Sequence, residues 1–392
     1  MHDWGIMKKG TPLDFSKEVD SAQVGMKAEK VRDIADKFES MVTEKHWHPS
    51  AQLVILHHGQ VVLDRVIGVG RGNQPIDHQT PFYTFSTSKP FIGLCIHKLI
   101  EEGRIGLDEL IGTYWPEFGC RGKEKATVRH ALLHLAGIPA PHRNWQVPLW
   151  PNWELVTRAV AGYKAVYPPG EVAHYHLVNY GFMLGEILRR VTGEMPDEYF
   201  SRNFSEPLGL QNTWMRMPGK EIYRSPRLIS YNKEHDLTVR IFDLKVVRTA
   251  VIPAASIHST ARELATFYQM LLNGGEYAGK HYLKGDTIKK AVSSGYHGPE
   301  VNENNSIINF GYGFQLGGKD VYLIDTQGKA VPFWGKGSTE KTFGHYGLGS
   351  CMAWADPDAD VVVAFTTNGL WHSDVTHLRW NMINDAVWDA LG

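Results

Sequence analysis

Ser86-Thr87-Ser88-Lys89 places a hydroxyl and an amine three residues apart. On a helix, positions i and i+3 share a face, so the Lys89 amine would lie beside the Ser86 hydroxyl. A serine becomes a nucleophile when a neighbouring base takes its proton. A helix start adds unpaired N–H groups and the positive end of a dipole. The chemistry this allows is attack on a carbonyl carbon through a covalent serine intermediate. The S-x-x-K spacing recurs at 230–233 and 338–341, but only the first instance opens a long apolar run, Phe91-Ile92-Gly93-Leu94-Cys95-Ile96. A helix N-cap with a solvated lysine would have the same spacing, which by itself leaves both open.

Two further segments carry chemistry. Pro169-Gly170-Glu171-Val172-Ala173-His174-Tyr175-His176-Leu177 is a turn that delivers Tyr175 to the head of an apolar helix. A phenol close to an ammonium has its pKa lowered and can act as a general base. Equally, Tyr175 could simply pack under its loop. Gly344-His345-Tyr346-Gly347-Leu348-Gly349 leads toward a strand. Its glycines allow close approach of backbone to a ligand, and a strand edge there could aim an N–H at an oxyanion.

Other patterns carry less. His130 and His134 have the i, i+4 spacing of metal ligands, but Ala131 stands where H-E-x-x-H requires glutamate, so a structural role is favoured and no metal or cofactor is expected. The glycines of 68–72 lack the Lys-Ser/Thr pair of a phosphate loop. The nucleophile elbow G-x-S-x-G surrounds no serine in the chain.

The elements that must position these residues follow from periodicity. Val31, Ile34, Ala35, Phe38 and Val42 predict a helix over 27–42. Two β-rich runs, 52–56 and 61–63, flank His58-Gly59 and predict a hairpin. Helices are predicted over 86–102, 127–135, 153–162, 178–192 and 260–273, the last capped by Ser259 or Thr260 and stopped by Gly274-Gly275. Residues 145–151 form a loop rich in Trp and Pro. Near the end, 349–355 and 361–367 are strands around an Asp-Pro-Asp turn, followed by a helix over 374–391. Strands at both ends and helices between them predict an α/β domain built from 1–84 and 246–392. A mostly helical domain, 85–245, is inserted into it, with the site at the junction.

The 392 residues are enough for a sizeable core, and 43% hydrophobic with 21% charged residues is ordinary for a soluble protein. A net charge of -1 with no basic block excludes nucleic acid as an expected partner. No run approaches a membrane span, and the first residues lack the form of a signal peptide, so the expected location is cytoplasmic. Three widely spaced cysteines fit a reducing compartment, with Cys95 in an apolar helical run as packing. Residues 5–24 have little pattern; an arm packing on a neighbouring subunit, and hence a homo-oligomer, is one reading of them.

Taken together and in order, the three chemical segments resemble the serine β-lactamase and penicillin-recognising family, most closely its class C and family VIII carboxylesterase branch. Val128-Arg129-His130-Ala131-Leu132-Leu133-His134-Leu135-Ala136-Gly137-Ile138 is similar to the family's "RHLLTHTSGL" stretch, and Gly103-Arg104-Ile105-Gly106-Leu107-Asp108, Pro207-Leu208-Gly209-Leu210, Ser259-Thr260-Ala261-Arg262-Glu263-Leu264, Leu271-Leu272-Asn273-Gly274-Gly275 and Ala355-Asp356-Pro357 also fit. The resemblance implies an α+β fold, β-lactamase-like, with an antiparallel sheet flanked by helices and an inserted all-helical domain. It implies Ser86 as acyl-accepting nucleophile and Lys89 as its proton partner. Tyr175 would be base in acylation and acid toward the leaving group. The oxyanion hole would be the backbone N–H groups of Ser86 and Leu348, with His345, Tyr346 and Gly347 in the K-T-G position. Two departures stand out: Leu177 replaces the Asn of Y-x-N, and His345 replaces the K-T-G lysine. Missing polar partners weaken β-lactam or D-Ala peptide binding more than binding of a simple ester. Leu177, Tyr346, Trp145 and Trp150 would make an apolar pocket. The expected function is hydrolysis of a small-molecule carboxylic ester through an acyl-enzyme. The alternatives are β-lactam or D-amino-acid peptide hydrolysis, acyl transfer with the same residues, a non-catalytic binding role, or a histidine-metal hydrolase.

Overall fold

The computed structural model describes residues 11–139, 144–301, 306–324 and 328–392. The aliphatic run at 50–57 forms the strand Ser50–His57 (β1), and Gln60–Gly68 (β2) returns beside it. His58 and Gly59 make the turn with φ of 49° and 63°, the left-handed pair that matches strand twist in a two-residue hairpin. The other strands of this sheet come from the last quarter of the chain. They are Tyr296–Pro299 (β3), Ile307–Phe310 (β4), Gln315–Leu316 (β5), Tyr322–Ile324 (β6), Ala330–Pro332 (β7), Phe343–Gly347 (β8), Cys351–Asp356 (β9) and Val361–Thr367 (β10). Their order across the sheet is β7-β6-β4-β5-β8-β9-β10-β1-β2, with β3 paired to β4. β1 runs antiparallel to β10, with Ala51 opposite Thr367 and His57 opposite Val361. Strands from both ends of the chain therefore meet within one sheet.

Six helices frame the sheet and the site: Ala28–Thr43 (α1), Lys89–Glu101 (α2), Asn179–Thr192 (α3), Lys233–Phe242 (α4), Ala261–Leu272 (α5) and Ser373–Leu391 (α6). Every position of β1, β9 and β10 is buried, which requires cover on both faces. Phe38 of α1 meets Phe365, and Trp388 of α6 stacks on Trp354, so these helices share one face. Tyr268 of α5 stacks on Phe343, whose partner Ala355 neighbours Trp354 and points to the opposite face. The α5 start is capped by Thr260, whose hydroxyl accepts the Glu263 N–H at 3.2 Å. Helix α2 packs against α3, and its residues from Lys89 to His97 are all buried.

The structure departs from the periodicity in three places. The helix expected over 127–135 covers only Val128–Leu132, because His134 takes a left-handed φ of 62° and turns the chain away. Within 145–151, a 3-10 helix spans Asn144–Leu149. Strands β3 to β7 and helix α4 are not foreshadowed by the sequence patterns; the strands are two to four residues long, too short to show alternation. The described part of the N-terminal arm lies on its own chain, with the Val19 N–H donating to the Val61 carbonyl at 2.9 Å and the Leu13 N–H to the Tyr277 hydroxyl at 2.9 Å. Among the described residues, no helix is long and apolar enough to cross a membrane.

The end of β8 presses against the turn that carries Ser86. A Cβ on Gly347 would stand 2.0 Å from the Thr84 carbonyl oxygen, so only glycine permits this contact. Gly347→Ala is expected to lower stability by about 1–3 kcal/mol, measured by urea unfolding; an unchanged midpoint would show that the contact relaxes freely.

His48, His97, His134, His176, His258 and His345 are buried, and burial pushes each imidazole below its ordinary range, His97 to about 4 and His176 to about 3. Unfolding exposes them and lets them bind protons at about pH 6.5. Their contribution is complete above that pH and declines as pH falls toward the folded-state values, by up to about 1.4 kcal/mol per unit for each histidine. Unfolding free energy should therefore drop steeply from pH 7 to pH 5, with several protons taken up; a flat profile over that window would contradict the burial.

Candidate active site

The segment before Ser86 is anchored to the chain around Ile257. Residues Phe82 and Tyr83 pair with His258 and Ser259, and the Thr84 N–H donates to the Ile257 carbonyl at 2.9 Å. Phe85 then adopts φ of 48°, a strained conformation for a bulky residue, which costs on the order of 1–3 kcal/mol. Its ring is held by Tyr83 at 4.8 Å and Phe242 at 5.3 Å. The neighbouring hydroxyls are occupied. Thr84 donates to the Ile257 carbonyl at 2.9 Å, Thr87 to the His345 carbonyl at 3.4 Å, and Ser88 accepts the Ile257 N–H at 3.0 Å. From residue 80 to 97, Ser86 is the one residue that is not buried.

Lys89 is fully buried, and its Nζ lies 3.1 Å from the Ser86 Oγ and 3.4 Å from the Ala254 carbonyl oxygen. Gly181 of α3 admits the chain at Ala254, since a Cβ there would be 2.3 Å from the Ala254 nitrogen. Burial pushes the Lys89 amine well below the usual lysine range, and no carboxylate opposes the shift. The other two S-x-x-K matches differ: Lys233 and Lys341 are exposed, and Lys341 pairs with Asp358 at 2.6 Å.

Tyr175 completes the group. The Lys89 Nζ lies 4.5 Å from the centre of its ring. Burial pushes the phenol well above its ordinary range, while the Ser86 hydroxyl draws it partly back. Its own N–H donates to Glu300 at 3.1 Å. His345 stands 6.2 Å away between ring centres and is buried, and that burial pushes its imidazole well below the usual histidine range. Asn179, two residues beyond Leu177, faces elsewhere and donates to the Ile138 carbonyl at 3.0 Å.

Beside Ser86 lies a cavity of about 260 Å³. Of the residues singled out from sequence, Ser86, Leu348, Leu177 and Trp150 line it. His345, Tyr346 and Gly347 do not; Tyr346 packs instead on Trp380 at 4.9 Å and Phe333 at 5.5 Å. The Trp145 side chain lies outside the described residues. Phe85, Gln146, Thr238, Phe242, Ala254 and Ala255 also line the cavity, and sequence reasoning missed all of them. The amphipathic spacing of α4 could have marked a helix, but no motif ties its Thr238 and Phe242 to Ser86. Neither the Ser86 nor the Leu348 N–H has a hydrogen-bond partner among the described residues, so both remain available to a ligand oxygen. Two larger depressions, of about 600 and 550 Å³, lie elsewhere and are lined by mixed charges. His130 and His134 do not converge: His130 accepts the Thr127 N–H at 3.3 Å in a capping box, whereas His134 faces Tyr175.

Comparison with known proteins identifies the family and the fold. The beta-lactamase family model matches residues 33–384. The esterase/beta-lactamase LipL of Mycobacterium tuberculosis is 25% identical over 367 residues, covering 85% of this chain and 80% of its own. A penicillin-binding protein homolog from Caulobacter crescentus superposes with a TM-score of 0.78 at 28% identity, covering 94% of this chain and 99% of its own. A family VIII carboxylesterase shares the fold with a TM-score of 0.79 at 24% identity, over 93% and 99% of the two chains. With a family match over most of its length and the same fold in solved relatives, the chain belongs to the beta-lactamase family and is a hydrolase of the serine β-lactamase fold.

Proposed function

We propose that the protein hydrolyses uncharged carboxylic esters through an acyl-enzyme on Ser86. The observation that carries this reading is the buried amine of Lys89, 3.1 Å from the Ser86 hydroxyl with no carboxylate paired to it among the described residues. A neutral amine there takes the Ser86 proton as Oγ attacks the ester carbonyl. The developing oxyanion accepts the N–H groups of Ser86 and Leu348. Tyr175, held in its protonated form, gives its proton to the departing alcohol and recovers one from the Lys89 ammonium. Water then enters, and the same two groups, in reverse, release the acid. The sequence pattern assigned the base role in acylation to Tyr175; the opposite directions of the two shifts favour Lys89 as base and Tyr175 as acid.

The character of the cavity supports an ester over a β-lactam or a D-Ala peptide. Among the described residues that line it none is charged, so they offer no cation to a substrate carboxylate. Leu177 stands in the place of an amide side chain, and burial pushes His345 well below the usual histidine range, which favours an uncharged ring where the family's lysine would be charged. At about 260 Å³ the cavity falls just below the roughly 300 Å³ at which pockets for drug-sized ligands begin. A short acyl or alcohol group fits it. LipL, a relative named as an esterase and β-lactamase, agrees with either activity on this scaffold.

The test is turnover of p-nitrophenyl butyrate. Ser86→Ala should reduce it to background, and Tyr175→Phe should lower kcat/KM by about 10²–10⁴-fold on an alkyl ester. Retention of near wild-type rates in Ser86→Ala would sink the assignment, and nitrocefin turnover equal to ester turnover would move it to lactams. The pH profile has a defined sign. Activity requires unprotonated Lys89, so it rises with pH and levels off well below the 10.5 of a free lysine. With the phenol pushed well above 10.0, no alkaline loss of the acid is expected near pH 9. A rate still climbing at pH 10 would place the Lys89 pKa in its ordinary range.

A further inference from the structure

His134 belongs to the segment that sequence spacing left as structural, yet it touches the tyrosine's segment from two directions. Its carbonyl oxygen accepts the N–H of His174 at 3.2 Å, and its ring Nδ1 accepts the N–H of His176 at 2.9 Å. These are the residues immediately before and after Tyr175. The His134 ring also lies 4.5 Å from the Tyr175 ring and 4.9 Å from Phe310 beyond it. To present carbonyl and ring to the same short segment, residue 134 adopts a left-handed φ of 62°. Histidine, asparagine and aspartate tolerate that region better than other side chains. The ring acts here in its neutral form, because an imidazolium has no acceptor nitrogen. A second histidine continues the same tie: His176 donates from Nδ1 to the His174 carbonyl at 2.7 Å and accepts the Ile138 N–H on Nε2 at 3.1 Å.

We propose that His134 is the positioning residue for Tyr175, its Nδ1 and carbonyl bracketing the tyrosine's two neighbours so that the phenol faces Ser86 and the leaving group. This inference rests on the reading of Tyr175 as proton donor. Losing the Nδ1 acceptor frees the N–H of His176 and lets the phenol drift, and misplacement of a reacting group by about 1 Å costs on the order of 10²-fold in rate. The loss depends on the ester. An alkoxide cannot leave without a proton, whereas p-nitrophenoxide can. A mispositioned Tyr175 therefore slows an alkyl ester and spares an aryl ester. A merely structural lesion slows both alike.

The experiment compares kcat/KM, which reports acylation, for ethyl butyrate and p-nitrophenyl butyrate in four variants. Tyr175→Phe is the reference and should lose the alkyl ester far more than the aryl one. His134→Phe keeps an aromatic ring but no acceptor; it should lose about 10–100-fold on ethyl butyrate and only a few-fold on p-nitrophenyl butyrate. His134→Ala carries the same expectation and serves if His134→Phe does not fold. His134→Asn tolerates the left-handed backbone and offers an amide oxygen near the Nδ1 position, so it should recover most of the alkyl-ester rate. Equal losses on both esters, or no recovery in His134→Asn, would overturn the positioning role. If Tyr175→Phe itself shows no difference between the esters, the tyrosine is not the proton donor and the reading beneath the inference fails instead.

Discussion

The burial of one amine without a counter-charge governs this site. An ammonium removed from water and left unpaired is costly, so the group gives up its proton. Lys89 is enclosed by helix α2 and its surroundings; its amine meets the Ser86 hydroxyl and the Ala254 carbonyl and lies over the rings of Tyr175 and Tyr180. The same burial that lowers the lysine raises the tyrosine beside it. In the proposed reaction one environment thus separates a base from an acid, although both side chains are weak in water near neutrality. The rest of the local structure can be understood as what keeps water away from that amine while leaving Ser86 reachable.

Keeping it so requires backbone to come unusually close to backbone. Gly347 lets β8 meet the turn before Ser86, and Gly181 lets the chain at Ala254 meet α3. Phe85 and His134 accept left-handed conformations for the same end. Each strain is held by packing or hydrogen bonding around it: the Tyr83 and Phe242 rings for Phe85, and the chain at His174 and His176 for His134. Strain of this kind persists only where the surroundings over-determine it. Its concentration around Ser86 and Tyr175 is what a preformed site requires.

In the proposed reaction selectivity is a separate layer, built from side chains that take no part in proton transfer. The cavity beside Ser86 draws on the loop around Trp150, on Leu177 and on helix α4. Its mostly apolar lining would favour substrates whose groups ask for few hydrogen bonds, because a buried polar group left unpaired costs about 1–3 kcal/mol. The relatives of this scaffold carry names as different as esterase and penicillin-binding protein homolog, as expected where function is set by the site and not by the fold.

Local order was legible in the sequence wherever it depends on neighbours along the chain. The hairpin at His58-Gly59, helix α1 and the Thr260 cap follow from periodicity and turn chemistry. The pairing of Ser86 with Lys89 follows from helical spacing, and the order of motifs along the chain pointed to the family. Spacing alone did not rank the three S-x-x-K matches; the apolar run after Lys89 singled out the first, and burial in the folded chain separates it from the exposed Lys233 and Lys341. Strands β3 to β7 are too short to show a period, and their pairing is set by partners elsewhere in the sheet. Thr238 and Phe242 reach the cavity from more than 150 positions beyond Ser86, across a fold that no local pattern encodes. The sequence by itself determined which groups are available for chemistry and the local elements that carry them. Tertiary structure alone decided their protonation and the shape of the space before them, because desolvation and enclosure arise only when distant segments pack together.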